Sequence, residues 1–337
     1  MSIIPVEVPT GAIRYNTDSN KMECFDGTKW WEISVSSPDL NGGARIAYAA
    51  GESPSKTNII DYVTVSTAGN AIDFGDITTA TGRPGGCASR IRGLLAGGTT
   101  PSYVNTIEYI TFSSTGNATN FGDLTGDPRW YCPGVASQTR GVFTGGYTTT
   151  SPAGNRDYID YVTMASAGNA VDFGNMIAPT REHTTGSNST RGLMAGGKAP
   201  GPSLINTIQY ITIASIGNSQ DFGDSNTTNA AASSASSTRM VVGGGQDPSA
   251  INTIEYITMA TLGNSANFGD LTVARALPAI GVSSDKIRGV FAAGGVPGNK
   301  DEIDYITIAT TGDAVDFGNL TTARYSPAAM SNDHGGL

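Results

Sequence analysis

Apolar and polar positions along the chain form a pattern that returns every 46 to 52 residues. In each copy a tyrosine follows an acidic residue or glutamine and is flanked by isoleucine or valine. The central tyrosines are Tyr62, Tyr109, Tyr161, Tyr210, Tyr256 and Tyr305, and they number repeats 1 to 6. Apolar residues occupy both faces of these stretches, as at Ile107/Tyr109 and Ile110/Phe112. The pattern therefore predicts strands covered on both faces by neighbouring sheets.

Glycines occur at fixed places in each repeat. A phenylalanine of a Phe-Gly pair follows each tyrosine by 12 residues, at Phe74, Phe121, Phe173, Phe222, Phe268 and Phe317. A Gly-Asn or Gly-Asp pair lies between the two aromatic residues and is typical of a hairpin turn. Upstream of the tyrosine, an apolar run ends in two glycines in five repeats, from Gly97-Gly98 to Gly294-Gly295, and the first repeat has Gly51-Glu52 at that place.

These signals predict four strands in each repeat. In repeat 3 we expect strands at Arg140 to Thr144, Tyr158 to Ala165 and Ala170 to Phe173, with a fourth within Pro133 to Ser137. Among repeat architectures, four-stranded units of this length favour a β-propeller. The sequence thus predicts an all-β fold of six blades.

The two ends of the repeat array predict ring closure. Repeat 1 begins at Arg45 without a preceding first strand, and residues 38–44 read as a linker. After the last Phe-Gly pair the chain continues through Tyr325 to Ser331, which has the place of the missing strand. We therefore expect residues 325–331 to complete the first blade and to close a propeller spanning residues 45–337.

The arginine-led strand ending in Gly-Gly, the strand with an acidic residue or glutamine before tyrosine, and the aromatic residue one hairpin later resemble a kelch repeat. The phenylalanine stands where kelch blades usually carry tryptophan, and it lies further from the tyrosine. The resemblance implies a six-bladed kelch-like β-propeller.

Residues 1–37 form a different module. Gly11 to Ile33 predicts three short strands joined by Asn/Asp/Gly turns, which is too little chain to bury a core alone. Its aromatic residues must be covered by the repeats, by a sister chain or by another protein. We therefore predict an anchoring or oligomer-contact surface at Tyr15, Phe25, Trp30 and Trp31.

The order Gly11-Ala12-Ile13-Arg14-Tyr15-Asn16, then Phe25-Asp26-Gly27, then Trp30 resembles a segment of phage tail-fibre and other virion structural proteins. The resemblance implies a virion component that is assembled in the host cytoplasm and held by other virion proteins through this module. It also implies a homo-oligomer, with the trimer as the form common among such fibres, although no coiled-coil heptads are present.

The composition limits the classes of partner that the protein is expected to bind. The net charge is -9 with a pI near 4.7, which argues against nucleic acid. No apolar stretch approaches the roughly 18 residues of a membrane span, so no membrane insertion is expected. Cys24, Cys87 and Cys132 are widely separated and read as free thiols.

Signals for chemistry are sparse. His183 and His334 are the only histidines, and neither has a metal-ligand spacing; no nucleophile elbow, phosphate loop or dinucleotide motif is present. We expect no catalytic residue, metal or cofactor, and hence no enzyme. The recurring aspartates favour turn capping over a carboxylate-pair site.

Binding is expected where the repeats differ. The loops after the glycine pairs and between blades carry candidate ligand-binding aromatics, with packing of the loops themselves as the alternative. These residues are Tyr103, Trp130, Tyr131, Tyr147 and Tyr158.

The sequence favours a non-enzymatic phage virion structural protein, a tail fibre, appendage or decoration, whose propeller recognises a host-surface glycan or protein. A glycan-acting propeller enzyme and a host-encoded protein-interaction scaffold are the alternatives.

Overall fold

The computed structural model describes residues 8–17, 21–33, 44–201, 203–226, 229–246, 248–296 and 298–337. The described chain is all-β and consists of many small antiparallel sheets. It divides into two compact units, residues 1–40 and 41–337. Residues 38–43 of the predicted linker, like residues 1–7 and 34–37 of the predicted anchor, lie outside the described residues.

The first unit contains one three-stranded antiparallel sheet. Its strands are Ile13–Asn16, Lys21–Phe25 and Trp30–Glu32, paired in chain order. The turn before the third strand is fixed by Asp26, whose carboxylate accepts hydrogen bonds from the backbone amides of Thr28 and Lys29, each at 2.8 Å. The three strands predicted from Gly11 to Ile33 are present.

Repeats 2 to 5 each form a four-stranded antiparallel sheet. The strands are Gly85–Ala88, Arg92–Ala96, Thr106–Thr111 and Thr119–Asp123 in repeat 2; Gly134–Ala136, Arg140–Thr144, Tyr158–Thr163 and Val171–Asn175 in repeat 3; Thr184–Ser187, Arg191–Lys198, Leu204–Thr212 and Gln220–Asp224 in repeat 4; and Ala232–Ala235, Arg239–Gly243, Thr253–Thr258 and Ala266–Asp270 in repeat 5. A small hairpin, Tyr147–Thr148 with Gly154–Asn155, lies in the repeat 3 loop.

Repeats 1 and 6 differ at their first strands. Repeat 1 has Arg45–Ala49, Ser55–Thr64 and Ile72–Thr81, with Glu52–Ser53 folded back on the second of these, and the C-terminal strand Ala328–Ser331 pairs with Arg45–Ala49. Repeat 6 has Arg288–Ala292, Lys300–Thr307 and Val315–Arg324. The segment before them joins this sheet through a hydrogen bond from the Val290 amide to the Ser283 carbonyl, at 2.9 Å.

A β-bulge places the phenylalanine of every Phe-Gly pair. In repeat 2, Ile107 pairs with Gly122 and Glu108 pairs with Asn120, so Phe121 is the extra residue. The bulge turns its ring into the core, where it meets the tyrosine edge-on at 5.9 Å between ring centroids. All six repeats have this edge-on pair, with centroid distances of 5.7 to 6.3 Å.

Consecutive sheets are joined by one recurring hydrogen bond. The amide of the turn glycine in one repeat donates to the carbonyl of the Phe-Gly phenylalanine in the repeat before it, at 2.7 to 2.8 Å. The pairs are Gly116 with Phe74, Gly168 with Phe121, Gly217 with Phe173, Gly263 with Phe222, Gly312 with Phe268 and Gly69 with Phe317. The last pair joins repeat 6 to repeat 1.

The arginine that opens each second strand follows the same order. Its guanidinium donates to a backbone carbonyl of the next repeat, as from Arg45 to Phe112 at 2.6 Å, and Arg288 of repeat 6 donates to Val65 of repeat 1 at 2.9 Å. Each of six apolar core clusters likewise combines buried side chains of two neighbouring repeats, including one from repeats 6 and 1.

The final residues contact all six repeats. Asn332 accepts from the Arg45 amide at 2.7 Å, His334 Nε2 donates to the Ala88 carbonyl at 2.9 Å, and the Gly335 amide donates to Ala235 at 3.0 Å. Gly336 packs so closely on repeats 3 and 4 that an added Cβ would lie 2.1 Å from the Ala136 carbonyl oxygen and 3.0 Å from Ser187 Oγ. Lys286 of repeat 6 pairs with Asp333 at 2.7 Å.

In repeats 1 and 6 the left-handed turn begins one residue before the glycine that the sequence analysis assigned to it. Counting from the opening arginine, the left-handed position is Gly97 in repeat 2, with φ of 64°. The equivalent residues in repeats 1 and 6 are Ala50 and Ala293, with φ of 64° and 65°. The backbone turn is thus conserved within the array even where alanine replaces glycine, so the glycine letters alone misplace it.

Candidate functional site

Four of the five predicted ligand-binding aromatics lie together. Trp130 is in contact with Tyr131 and Tyr147, with ring centroids 5.9 Å apart in both pairs, and Tyr103 lies 6.5 Å from Trp130 and 6.4 Å from Tyr147. Pairing of the Trp130 and Tyr147 backbones holds the two loops together, with amide-to-carbonyl distances of 3.0 and 3.1 Å. We call these four residues the aromatic cluster.

Members of the aromatic cluster differ in exposure. Tyr131 is 1% exposed and Trp130 is 8% exposed, so their rings mainly fill the space between loops, whereas Tyr103 and Tyr147 are half-buried. The indole Nε1 of Trp130 is buried without a hydrogen-bond acceptor among the described residues. The half-buried tyrosines are thus the ones whose rings reach solvent.

Tyr158 lies apart from the aromatic cluster. It is packed between two guanidinium groups, with Arg129 at 5.4 Å and Arg156 at 5.9 Å from its ring centroid. Gly126 approaches the same ring so closely that a Cβ there would be 3.0 Å from it. The structure therefore separates Tyr158 from the other four predicted residues.

In every repeat, one residue at the same place, a few positions after the Phe-Gly pair, adopts a left-handed backbone. These six residues are Arg83, Tyr131, Glu182, Ala230, Leu277 and Ser326, with φ of 49° to 58°. Amide-to-carbonyl bonds of 2.8 to 3.0 Å run from Tyr131 to Arg83, from Ala230 to Glu182, from Leu277 to Ala230 and from Ser326 to Leu277. We call these six residues the left-handed set.

Left-handed backbone at a residue other than glycine is strained by about 1–3 kcal/mol. Its recurrence at one place in every repeat indicates that the path between neighbouring sheets requires it. The side chains at this position are free to differ, and they include a cation, an anion and an aromatic ring. The left-handed set is therefore a position at which the repeats share a backbone conformation but differ in side chain.

Charged groups of the left-handed set are paired. Arg83 Nε lies 3.1 Å from Glu52 Oε1, and the Arg83 guanidinium stacks 4.8 Å from the Trp130 ring centroid. The Tyr325 hydroxyl donates to the other Glu52 oxygen, and burial together with this hydrogen bond raises the pKa of Tyr325. Glu182 pairs with Lys198 at 2.7 Å and accepts from Asn229 Nδ2 at 3.2 Å.

Sequence reasoning missed Arg83, Glu182 and Tyr325. The signal available in the sequence is positional: the left-handed residues follow the Phe-Gly phenylalanine by eight to ten residues in every repeat. Chemically, the left-handed set and the aromatic cluster offer stacking surfaces and paired charges, which suit binding.

The predicted anchoring residues divide between the two faces of the first unit's sheet. Pairing of Ile13 with Cys24 and of Cys24 with Trp31 puts these residues on one face together with Tyr15 and Met22. Tyr15 is 55% exposed and Trp31 is 54% exposed, and Ile13 and Met22 are exposed as well. We call Ile13, Tyr15, Met22 and Trp31 the apolar face.

Phe25 and Trp30 occupy the opposite face. Their ring centroids are 5.2 Å apart, and the Arg14 guanidinium covers Trp30 at 4.1 Å while pairing with Glu23 at 2.8 Å. These two rings are therefore already packed within the sheet. Of the four predicted anchoring residues, Tyr15 and Trp31 are the most exposed, and Lys29 Nζ covers part of the Trp31 ring at 3.9 Å from its centroid.

Metal ligands do not assemble in the described parts of the chain. No group of three or more His, Cys, Asp or Glu side chains has a geometry suited to an ion there. His183 Nε2 bonds Thr144 Oγ1 at 2.8 Å, and burial lowers the pKa of His183 to about 3. The residues that the structure describes include no helix of the length and apolarity that crossing a membrane requires.

A scan against models of known protein families finds no match, and a search of curated protein sequences finds no significant similarity.

Proposed function

We propose that residues 45–337 form a closed six-bladed, kelch-like β-propeller. The support is the cyclic order of the links between repeats: turn glycine to phenylalanine, opening arginine to carbonyl, and shared apolar cluster each run from repeat to repeat and return from the sixth to the first. Strand Ala328–Ser331, which follows repeat 6 in the chain, pairs with Arg45–Ala49 in the sheet of repeat 1, so both ends of the array lie in one sheet. A closed ring leaves few sheet edges exposed.

We further propose that the protein is a structural component of a phage virion, without enzymatic activity, held to other virion proteins or to sister chains by its first unit. One observation carries the anchoring role: four large apolar side chains stand exposed on one face of a sheet of three short strands. An exposed apolar face of this kind marks an interaction site. The virion assignment rests on the resemblance of residues 11–30 to tail-fibre and other virion segments.

In this proposal the propeller carries the recognition surface. Tyr103 and Tyr147 of the aromatic cluster, with the half-buried Arg83 and Leu277 of the left-handed set, form the face offered to a host-surface glycan or protein. Rings stack on sugars and on protein side chains with little loss of rotamer freedom. Their partial exposure supports this role for the two tyrosines.

The anchoring proposal is tested by particle incorporation. Tyr15→Ser and Trp31→Ser together remove both aromatic rings of the apolar face, so we expect the doubly substituted chain to be lost from purified particles and to lose any self-association in solution. Western blotting of particles and light scattering after size exclusion measure the two effects. Ile216→Ser is the matched control, because Ile216 is also exposed but lies in repeat 4.

A wild-type chain absent from purified particles would contradict the virion assignment. Normal incorporation and unchanged mass of the double variant would contradict the anchoring role of the apolar face.

A further inference from the structure

Three of the six junctions between neighbouring repeats contain a buried arginine-aspartate pair. Each arginine follows the Phe-Gly pair of one repeat, and its partner is the aspartate before the central tyrosine of the next repeat. The pairs are Arg129 with Asp160, Arg275 with Asp304 at 2.6 Å and Arg324 with Asp61 at 2.9 Å, and all six side chains are at most 1% exposed. A buried carboxylate of this kind needs a charged or hydrogen-bonding partner.

Two other junctions satisfy the equivalent side chain in another way. Gln209 and Glu255 replace the aspartate, and a serine after the turn Gly-Asn pair donates to each. Ser219 Oγ lies 2.6 Å from Gln209 Oε1, and Ser265 Oγ lies 2.7 Å from Glu255 Oε2. At the junction of repeats 3 and 4, Thr180 stands at the arginine position. The serine therefore takes over part of the arginine's role.

The junction of repeats 1 and 2 has neither the arginine partner nor the serine donor. Thr81 stands at the arginine position, Ala118 stands at the serine position, and the carboxylate belongs to Glu108, which is 8% exposed. Thr78 donates to Glu108 through its hydroxyl and, at 3.2 Å, through its amide. Within the described residues, no lysine or arginine forms an ion pair with Glu108.

A cavity of about 210 Å³ lies at this junction. Its lining includes Thr81 and Glu108, with Thr78, Leu95, Gly97 and Thr106. Since a water molecule accounts for about 30 Å³ of liquid, the space holds a small organic group. Thr79 and Thr100 at its wall are exposed and half-buried, so the cavity is open to solvent.

The wall of this cavity matches the cradle of a guanidinium group elsewhere in the chain. Arg275 Nη1 donates to the carbonyls of Glu302, Phe291 and Ala293, at 2.8, 3.4 and 3.4 Å. Counted from the opening arginine and the central tyrosine, the same positions in repeat 2 are Thr106, Leu95 and Gly97, which all line the cavity. Arg324 uses the same site in repeat 1, where it donates to Tyr48, the equivalent of Leu95, at 3.0 Å.

We propose that the cavity between the sheets of repeats 1 and 2 binds a guanidinium group from outside the chain, with Glu108 as its counter-charge. The planar fork of a guanidinium pairs with a carboxylate and with carbonyls at once, whereas an ammonium is a compact, strongly hydrated point charge. The group belongs either to a free small guanidine or to an arginine side chain of a peptide, because both present the same chemistry to the cavity.

Titration of the full-length chain with methylguanidinium, followed by amide chemical shifts, tests the proposal. We expect saturable shifts at Gly97, Thr106 and Glu108, and at least tenfold weaker binding of methylammonium. Glu108→Gln should weaken methylguanidinium binding at least tenfold, whereas Glu255→Gln, which alters the carboxylate already bonded by Ser265, should leave it unchanged. Binding that is equal in Glu108→Gln and the wild-type chain would overturn the proposal.

A second variant fills the cavity from within. Thr81→Arg combined with Glu108→Asp recreates the arginine-aspartate pair of the other junctions, and we expect it to abolish methylguanidinium binding and to raise the melting temperature. If this double variant does not fold, the Glu108→Gln titration alone decides.

A blocked Gly-Arg-Gly peptide, with Gly-Lys-Gly as its control, distinguishes the two sources. Arginine-dependent peptide binding with the same shifted amides assigns the cavity to an arginine side chain. Binding of methylguanidinium without the peptide assigns it to a free guanidine. Shifts that spread evenly over all six junctions, or none, would overturn the proposal.

Discussion

Single residues in the interior are fixed by burial and by their hydrogen-bond partners. His334 donates from Nε2 to the Ala88 carbonyl, and its Nδ1 accepts from the Gly336 amide at 3.0 Å. Both ring nitrogens of the neutral imidazole are thus satisfied, and a proton on Nδ1 would face an amide donor. Burial, aided by the charge of Lys286, lowers the pKa of His334 to about 4, although the Ala88 carbonyl acts in the opposite direction.

Stability should fall as the solution is acidified from pH 7 to pH 5. In this range an unfolded histidine, with a pKa near 6.5, binds a proton that folded His334 and folded His183 do not bind. Each histidine then costs about 1.4 kcal/mol of unfolding free energy per pH unit below 6.5, or about 2 kcal/mol at pH 5. Urea denaturation at pH 7, 6 and 5 measures the slope.

His334→Gln should remove about half of this pH dependence, because His183 retains the other half. A His334→Gln variant with the full wild-type slope would contradict the assignment.

At the scale of the strand and turn, two glycines of each repeat have different tasks. The Phe-Gly glycine lets the turn of the next repeat approach: a Cβ on Gly122 would lie 2.3 Å from the Gly168 carbonyl oxygen. The turn glycine itself has open space, since a Cβ on Gly116 would have no atom within 4 Å. Both have nearly the same backbone, with φ of 156° and 153°.

Alanine at these two glycines separates backbone strain from the clash between sheets. Gly116→Ala should lose about 1–3 kcal/mol from the disfavoured backbone alone. Gly122→Ala should lose about 1–3 kcal/mol more, because the new methyl group forces neighbouring sheets apart. Chemical denaturation of both variants gives the difference, and equal losses would show that the turn does not pack on Gly122.

At the scale of the whole molecule, the C-terminal residues contact repeats that are far apart in the sequence. Strand Ala328–Ser331 lies in the sheet of repeat 1, its Ala329 amide donates to Ile280 of repeat 6 at 2.8 Å, and the residues after it contact all six repeats. Much of the order of the second unit therefore depends on the last segment of the chain. Such long-range pairing is slow to form and leaves open edges until it does.

Deletion of residues 322–337 should leave the repeats unfolded or aggregated, because it removes the strand beside Arg45–Ala49 and the Arg324 partner of buried Asp61. Ala329→Pro is the milder variant, since it removes one amide donor, and it should lower the melting temperature. Deletion of residues 1–40 is the matched control and should leave the melting transition of the repeats unchanged. An unchanged melting temperature in the 322–337 deletion would contradict ring closure.

Periodicity determined where most of the strands lie, although the sheet of repeat 6 has three strands instead of the predicted four. The six tyrosine strands, their phenylalanine partners and the three strands of the first unit follow from alternation and turn residues, because these signals act over a few neighbouring positions. The same local signals placed Tyr103, Trp130, Tyr131 and Tyr147 on loops, and they misplaced the glycine pairs of repeats 1 and 6, where the backbone turn persists without the glycine.

Only the tertiary structure decided which residues meet across repeats. In the tertiary structure Trp130 and Tyr131 are buried, and Tyr158 is not in ring contact with them. Tyr15 and Trp31 lie on one face of the first unit's sheet, and Phe25 and Trp30 lie on the other. Glu108 lines a cavity between two repeats. These outcomes depend on contacts between positions tens to hundreds of residues apart. No local pattern encodes them, because each depends on the partner that the packing of neighbouring sheets supplies or withholds.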